Sequence, residues 1–502
     1  MLKSLEERAV AVPLPDHAAT ERLGADMALA VKPGDCIHLY GDLGAGKTTL
    51  ARGFVRAMAE ADIEVPSPTF TIVQSYNARV PLLHADLYRI EDAAEIEELG
   101  FDEALETSAL LAEWPERGGD VLPAAMLCVE LEEEGDGRVA TLSGPALDRY
   151  VRSLEVRAFL SALGKPDAAR RYLTGDASAR SYELISDGNG NDRVLMNAPA
   201  EPDGPPIHDG RSYSKVAHLA ENVRPFVAVA EELRREGLGA PRVYAADLDA
   251  GLLLVENLGA GSIVEDGKPL QSRYEICVRQ LADMHRRDWS PALPLPDGTE
   301  YDLPPYDRDA LKIEVSLLAD WYARDVLARE LSDGERNRFN GLWDELIDLV
   351  LAGPQTLLLR DFHSPNIVWR EDREGAERVG LIDFQDAVIG PEPYDLASLA
   401  QDARVDIPAA TERALVAAYC DARWPDRTDD AVHERERFER DYAIMAAQRA
   451  SKILGIFVRL DLRDGKPDYR AHLPRMRDYI GRSLRHPALA ELADFYRETF
   501  EL

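Results

Sequence analysis

The stretch Gly41-Asp42-Leu43-Gly44-Ala45-Gly46-Lys47-Thr48 constrains this chain more than any other. It fits the spacing GxxxxGK(S/T), and its flanks agree with it. Cys36–Tyr40 reads as a short buried strand, and residues 49–58 read as a helix with its apolar side chains on one face. In a loop of this kind Gly41, Gly44 and Gly46 let backbone N–H groups turn inward around a polyphosphate. Lys47 then reaches the β- and γ-phosphates and the Thr48 hydroxyl ligates Mg2+, with Thr49 next in the nucleotide-binding run. Strand, loop and helix in this order predict an α/β P-loop NTPase domain.

The loop cannot account for the whole chain. At 502 residues two or three domains are expected, and a hydrophobic content of 45% is ample for sizeable cores. The formal net charge of −33 argues against the chain gripping nucleic acid by itself, because phosphate contacts need clustered Lys and Arg. Any RNA connection has to run through a partner. Four cysteines (Cys36, Cys128, Cys277, Cys420) lie far apart without CxxC spacing and read as reduced, mostly buried thiols. The start lacks the apolar core of a signal peptide, and no apolar run approaches the ~20 residues of a membrane span. The expectation is a soluble, cytoplasmic protein.

Downstream of the loop, residues 65–73 (VPSPTFTIV) read as a proline-braced loop running into a strand, with Ser67 and Thr69 facing the γ-phosphate side of a nucleotide. Alternation along residues 82–89 puts His84, Asp86 and Tyr88 on one face. A carboxylate at a strand end beside a P-loop, here Asp86, is a natural Mg2+ partner. Glu113 ends the apolar run 109–112, which is the physical content of a Walker B element. Residues 90–106 are expected to form an acidic helical stretch, and 131–144 a turn between two short strands. From Pro145 the pattern turns helical, which places the domain boundary near residue 150.

Walker A, SPTF, HADLYR and AEWPE, in this order within the first 150 residues, resemble the TsaE (YjeE) ATPases. Those proteins serve the bacterial machinery that makes threonylcarbamoyladenosine on tRNA. The match covers most of residues 10–145. The resemblance implies a small P-loop ATPase acting with TsaB and TsaD proteins, its hydrolysis resetting the complex. It also implies that Lys47 and Thr48 bind phosphate and Mg2+, that Thr69 lies in a switch-like loop, and that Asp86 and Glu113 are the acidic residues of the site. No NKxD guanine signature occurs, so ATP is expected over GTP.

A second architecture follows. Residues 175–180, with Ser178 and Arg180, form a small-residue loop leading into a β-hairpin and suited to lie over phosphates. Residues 252–256 read as a buried strand ending in an acidic turn, the way a kinase-like small lobe joins its large lobe. Backbone groups of Glu256 and Leu258 would there meet an adenine edge. A segment with Pro291, Pro294, Pro296, Pro304 and Pro305 reads as a long surface loop. The strongest chemistry lies in Arg360-Asp361-Phe362-His363-Ser364-Pro365-Asn366, followed by Ile382-Asp383-Phe384. Phosphoryl transfer to a hydroxyl needs a carboxylate to accept the hydroxyl proton and oxygen ligands to hold Mg2+ against the phosphates. Asp361, Asn366 and Asp383 supply those parts in the order kinases use them. Asp395 stands where it would brace the catalytic loop.

This half resembles aminoglycoside and choline kinase-like phosphotransferases, especially the AmgK family of cell-wall amino-sugar kinases. The resemblance is carried by GDASARSY, VLMNAP, LLVENLG, RDFHSPN, LIDFQDA and QRASKILGIF, with EVSLLADWY at 314–322. It implies a protein-kinase-like (aminoglycoside phosphotransferase) α+β bilobal fold, with a small lobe over residues 151–260 and a large lobe over 261–502. It implies ATP-dependent phosphorylation of N-acetylmuramate or N-acetylglucosamine at the anomeric hydroxyl, feeding peptidoglycan recycling. Asp361 would be the base, and Asn366 and Asp383 the Mg2+ ligands. The strand lysine of the wider kinase pattern is absent, with VLMN at 194–197 in its place, a departure that AmgK-like sequences share. Arg180 is the candidate compensating cation.

The whole predicts a fusion: an ATPase over residues 1–150, then a kinase over 151–502. Its rivals are a kinase of another small alcohol, such as an aminoglycoside or choline, and a chain in which one half only senses nucleotide or binds a partner. Residues 312–322 separate the kinase readings. An acidic pocket there suits a cationic substrate, whereas mixed polar and aromatic lining suits a neutral or anionic sugar.

Overall fold

The structure, a computed structural model, describes residues 8–502 except 93, 174–179, 189, 201, 203 and 427, with the backbone alone at 94 and 208. The chain divides into two compact units between Asn197 and Ala198.

The first unit is built on a seven-stranded sheet of order β1-β7-β6-β2-β5-β4-β3. Its strands are β1 (Ala9–Leu14), β2 (Cys36–Tyr40), β3 (Val73–Tyr76), β4 (Leu82–Asp86), β5 (Ala109–Glu113), β6 (Leu127–Glu134) and β7 (Gly137–Ser143). Central β2 runs parallel to β5 and β6, and β4 continues the parallel part beside β5. β1, β3 and β7 join antiparallel. Strands β2 and β5 are buried on both faces, which is why they read as unbroken apolar runs.

Helix α1 (His17–Ala28) is N-capped by Asp16, whose carboxylate accepts the Ala19 amide at 2.7 Å. It packs almost backbone to backbone on α2 (Lys47–Ala59). A Cβ on Gly24 would stand 2.1 Å from the Leu50 carbonyl oxygen, and one on Gly53 would stand 2.0 Å from that of Glu21. This contact, with Leu50, Phe54 and Met58 in the core, fixes α2 and hence the loop at its start. The acidic stretch 90–106 is not one helix. It breaks into α3 (Ala94–Glu97) and α4 (Phe101–Leu105), because Gly100 takes a left-handed φ of 66° between them.

Beyond β7, α5 (Leu147–Ala162) still belongs to the first core: Tyr150 is fully buried and donates to Asp35 at 3.1 Å. Strands β8 (Ala169–Leu173), β9 (Ser181–Ser186) and β10 (Arg193–Asn197) then run antiparallel in sequence. Buried Arg170 on β8 ties Glu183 of β9 at 2.7 Å to Asp26 of α1 at 2.9 Å.

The second unit carries the hairpin of Val243–Asp247 with Leu252–Glu256 and a large helical part. The proline-rich segment expected as a loop contains a short hairpin, Ala292–Pro294 with Glu300–Asp302. Helix Arg308–Leu317 continues as a π-helix through Leu318–Ala323. Helix Asp429–Leu462, 34 residues long, crosses it. Their approach is made by Gly455, where a Cβ would lie 2.3 Å from the Leu317 carbonyl oxygen. Two short antiparallel pairs, Gln355–Leu358 with Val388–Pro391 and Ile367–Trp369 with Val379–Leu381, frame the segment that holds Asp361, Asn366 and Asp383. The four cysteines are free; burial pushes Cys36, Cys277 and Cys420 up to about 12, which leaves them inert thiols. Among the described residues no helix is long and apolar enough to cross a membrane.

Candidate active sites

The first site lies at the C-terminal ends of the parallel strands, where Asp86 and Glu113 stand directly opposite each other on β4 and β5. Gly41, Gly44 and Gly46 take φ values of 136°, 88° and 107°, which side chains resist. At Gly41 space is short as well, since a Cβ would meet the Leu131 carbonyl oxygen at 2.5 Å. Thr48 donates its hydroxyl to Glu113 Oε2 at 3.0 Å, and His84 Nε2 lies 2.9 Å from Glu113 Oε1. Asp86 Oδ2 accepts Ser67 at 2.5 Å and Thr69 at 3.4 Å. The fold thus gathers Thr48, Thr69, Asp86 and Glu113 from four separate segments.

Lys47 is folded back onto its own loop. Its ammonium donates to the Gly41 carbonyl and to that of Asp42 at 2.9 Å, and lies 3.6 Å from the Trp114 ring centroid. Burial lowers its pKa, opposed by the charges of Glu113, Glu116 and Asp86. The Thr49 side chain does not join the site: its hydroxyl lies 3.3 Å from His17 Nε2 of α1, so only its backbone remains at the helix start. His84 and Trp114 carry contacts that the motif reading did not assign. The one signal for His84 was its alternation with Asp86.

The second site centres on Asn366, whose Nδ2 donates to the Asp361 carbonyl at 3.1 Å and to Asp383 Oδ2 at 3.2 Å. Gln385 Nε2 holds Asp383 Oδ1 at 2.8 Å. Arg360 and Asp383 both take left-handed φ, 64° and 60°, a strain that the surrounding bonds hold in place. Asp395 accepts the Leu359 and Arg360 amides at 2.7 and 2.9 Å, the brace expected of it, and burial pushes its pKa up to about 7. For Asp361, burial acts upward, but His363, Lys452, Arg449 and Arg360 outweigh it and hold the carboxyl below its usual range. One carboxylate and one amide, Asp383 and Asn366, offer oxygen donors of the kind a divalent cation takes. Among the described residues no group of three or more His, Cys, Asp or Glu is placed to hold a metal alone.

Behind the catalytic loop Glu314 is fully buried and joins four partners. It accepts Lys452 at 2.7 Å and Gln448 at 3.3 Å, and also bonds Arg360 and Tyr306. Burial would raise its pKa, yet Lys452 and Arg360 bring it below the ordinary value. Glu256 donates its amide to Arg242 at 2.8 Å and its carboxylate accepts Arg370 at 2.8 Å, while Leu258 packs against Gly380. Arg180 stands half-buried just before β9, and Ser178 lies outside the described residues.

Residues 312–322 line a cavity of ≈ 650 Å³ within the second unit. Five cations (Arg308, Lys312, Arg336, Arg459, Arg463) face it against two carboxylates, Asp309 and Asp320, with Tyr213 and Trp321 as aromatic walls. It is not acidic.

Fold and geometry together define a P-loop ATPase followed by a kinase-type, ATP-using phosphotransferase. The family described as threonylcarbamoyl adenosine biosynthesis protein TsaE matches residues 14–140, and the phosphotransferase enzyme family (APH) matches residues 170–433. Over 354 residues the chain is 35% identical to the N-acetylmuramate/N-acetylglucosamine kinase of Caulobacter vibrioides, covering 68% of this chain and 94% of that one. It is 40% identical over 120 residues to the tRNA threonylcarbamoyladenosine biosynthesis protein TsaE of Rickettsia conorii, covering 24% of this chain and 69% of that one. Against the Bacillus subtilis TsaE it is 43% identical over 119 residues, covering 23% and 73%. The chain belongs to the TsaE family through its first part and to the APH phosphotransferase family through its second.

Proposed function

We propose that the chain is a bifunctional cytoplasmic fusion. Residues 1–150 serve as the ATPase subunit of tRNA threonylcarbamoyladenosine synthesis, acting with TsaB- and TsaD-like partners. Residues 151–502 phosphorylate N-acetylmuramate or N-acetylglucosamine at the anomeric hydroxyl, a step suited to peptidoglycan recycling. The substrate reading is supported by the relatives and carried by the cavity lining. Four of its five cations are paired with carboxylates in or behind the wall, and the fifth, Arg459, forms no ion pair among the described residues. A cationic aminoglycoside or choline would meet like charge, which costs binding.

In the kinase site, Asp361 accepts the proton of the sugar hydroxyl as its oxygen attacks the γ-phosphorus of ATP, the bond from that phosphorus to the β–γ bridging oxygen breaks, and ADP leaves. Its lowered pKa keeps it ionised and ready throughout neutral pH. Asn366 and Asp383 would hold Mg2+, which supplies charge neutralisation between the phosphates. The Glu256 carbonyl and the Leu258 amide offer an acceptor and a donor to adenine, and Arg180 is the candidate for the charge of the absent strand lysine. In the ATPase site, Gly41, Gly44 and Gly46 shape the cradle, and Lys47 exchanges the carbonyls of Gly41 and Asp42 for phosphate oxygens. Thr48 and the carboxylates of Asp86 and Glu113 would hold Mg2+ and orient water, and Thr69 would lie on the side of the γ-phosphate. With so acidic a surface, RNA is reached through the partners.

The test is incubation with ATP and a panel of amino sugars, aminoglycosides and choline, with products identified by mass spectrometry. The expected product is a sugar 1-phosphate. Phosphorylated aminoglycoside or choline without sugar phosphate overturns the substrate reading.

A further inference from the structure

We propose that Arg459 binds a carboxylate carried by the sugar, so that the kinase site prefers an acidic amino sugar to its neutral counterpart. The inference rests on the sugar-kinase reading above and names the residue that sets its substrate preference.

The cations of the cavity are not equivalent. Arg308 and Lys312 are neutralised by Asp344 at 3.0 and 2.7 Å, Arg336 by Asp320 at 3.0 Å, and Arg463 by Asp464 at 2.7 Å. Arg459 forms no ion pair among the described residues. Its guanidinium lies 4.8 Å from the Tyr213 ring centroid and interacts with the Tyr213 side chain, while its buried Nε has no hydrogen-bond partner among the described residues. An arginine in this condition is a fork of donors waiting for an acceptor, and a carboxylate matches that fork bidentately. Burial, with Arg463 alongside, holds its pKa below the ordinary value against the opposing pull of Tyr213 and Asp464.

Its placement fits a substrate substituent. Arg459 follows Lys452 by seven residues on helix Asp429–Leu462, which returns it to the same face about 10 Å further along. Lys452 bonds Glu314 behind the catalytic loop and acts electrostatically on Asp361. Tyr213 bridges the two positions, since its hydroxyl feels Glu314, Lys452 and Arg459 together. Gly455, between them, lets the helix close on Leu317 and brings Arg459 to the cavity wall. N-acetylmuramate differs from N-acetylglucosamine by a lactyl ether that ends in a carboxylate, and this is the group that an arginine without an ion pair suits.

The test compares kcat/KM of the full chain for N-acetylmuramate, its methyl ester and N-acetylglucosamine. The wild type should favour the acid over the ester by about 10- to 100-fold, the range of a charge-assisted hydrogen-bonded pair. Arg459→Met should collapse that ratio towards one, and Arg459→Lys should keep part of it. Equal rates for acid and ester in the wild type, a comparison that needs no variant, would overturn the assignment. So would an undiminished ratio in folded Arg459→Met. If the wild type phosphorylates none of the three sugars, the sugar-kinase reading itself fails and this inference falls with it; equal use of all three removes this inference alone.

Discussion

Thr48 donates its hydroxyl to one oxygen of Glu113 at 3.0 Å while His84 holds the other at 2.9 Å. Both Glu113 and His84 are buried, so neither oxygen has water to fall back on. The imidazole therefore fixes the carboxylate that faces the phosphate loop. His84→Leu should lower kcat for ATP hydrolysis by about 10- to 100-fold, because an orphaned buried acceptor reorients. KM for ATP should move much less, and His84→Gln should restore part of the rate. Steady-state hydrolysis with the partner proteins present reads both parameters.

The reciprocal glycines of α1 and α2 give a stability prediction. A methyl at position 53 has to displace the Glu21 carbonyl, 2.0 Å away, and neither helix can yield without moving the phosphate loop. Gly53→Ala should destabilise the first unit by about 1–3 kcal/mol, the usual cost of overpacking. Thermal unfolding followed by residual ATP hydrolysis should show the loss, while sugar phosphorylation at room temperature persists.

His285 makes the second unit sensitive to acid. Its Nδ1 lies 2.7 Å from the Tyr419 hydroxyl, its Nε2 has no partner, and burial with help from Arg423 lowers its pKa to about 3. In the unfolded chain a histidine titrates near about 6.5. Below that pH the unfolded chain takes up a proton that the folded one refuses. The folded state thus keeps its full stability above about pH 6.5 and loses it progressively as pH falls towards 3. His285→Gln should flatten the decline between roughly pH 4 and 6, measured as denaturant midpoints at each pH.

Local chemistry was legible in the sequence. Strands β2 and β5, the glycines at 41, 44 and 46, and the Asp361–Asn366 spacing each reside in a short contiguous segment whose residues dictate its geometry. What was not legible is assembled across distance. The Glu314 hub draws on positions 306, 360, 448 and 452, which only tertiary packing brings together. His84 could be placed on the face of Asp86, but the bond to Glu113 requires the parallel pairing of β4 with β5. The acidic helical stretch over 90–106 was readable, but not that a left-handed glycine divides it. The pattern turns helical near residue 150, and that change does not reveal that Tyr150 packs into the first core or that the compact unit runs on to Asn197. The part of the cavity lining outside residues 312–322, from Tyr213, Arg336 and Arg459, likewise has no linear signature.

Two phosphate-handling centres in one chain work by separate machinery on this reading, and a double dissociation separates them. Partner-stimulated ATP hydrolysis and sugar 1-phosphate formation would be measured on the same preparations of wild type, Lys47→Ala and Asp361→Ala. Lys47→Ala should lose hydrolysis and keep sugar phosphorylation. Asp361→Ala should keep hydrolysis and lose sugar phosphorylation by about 100- to 10,000-fold, the range for removing a general base. Loss of both activities together in either folded variant, or undiminished sugar 1-phosphate from Asp361→Ala, would contradict this reading.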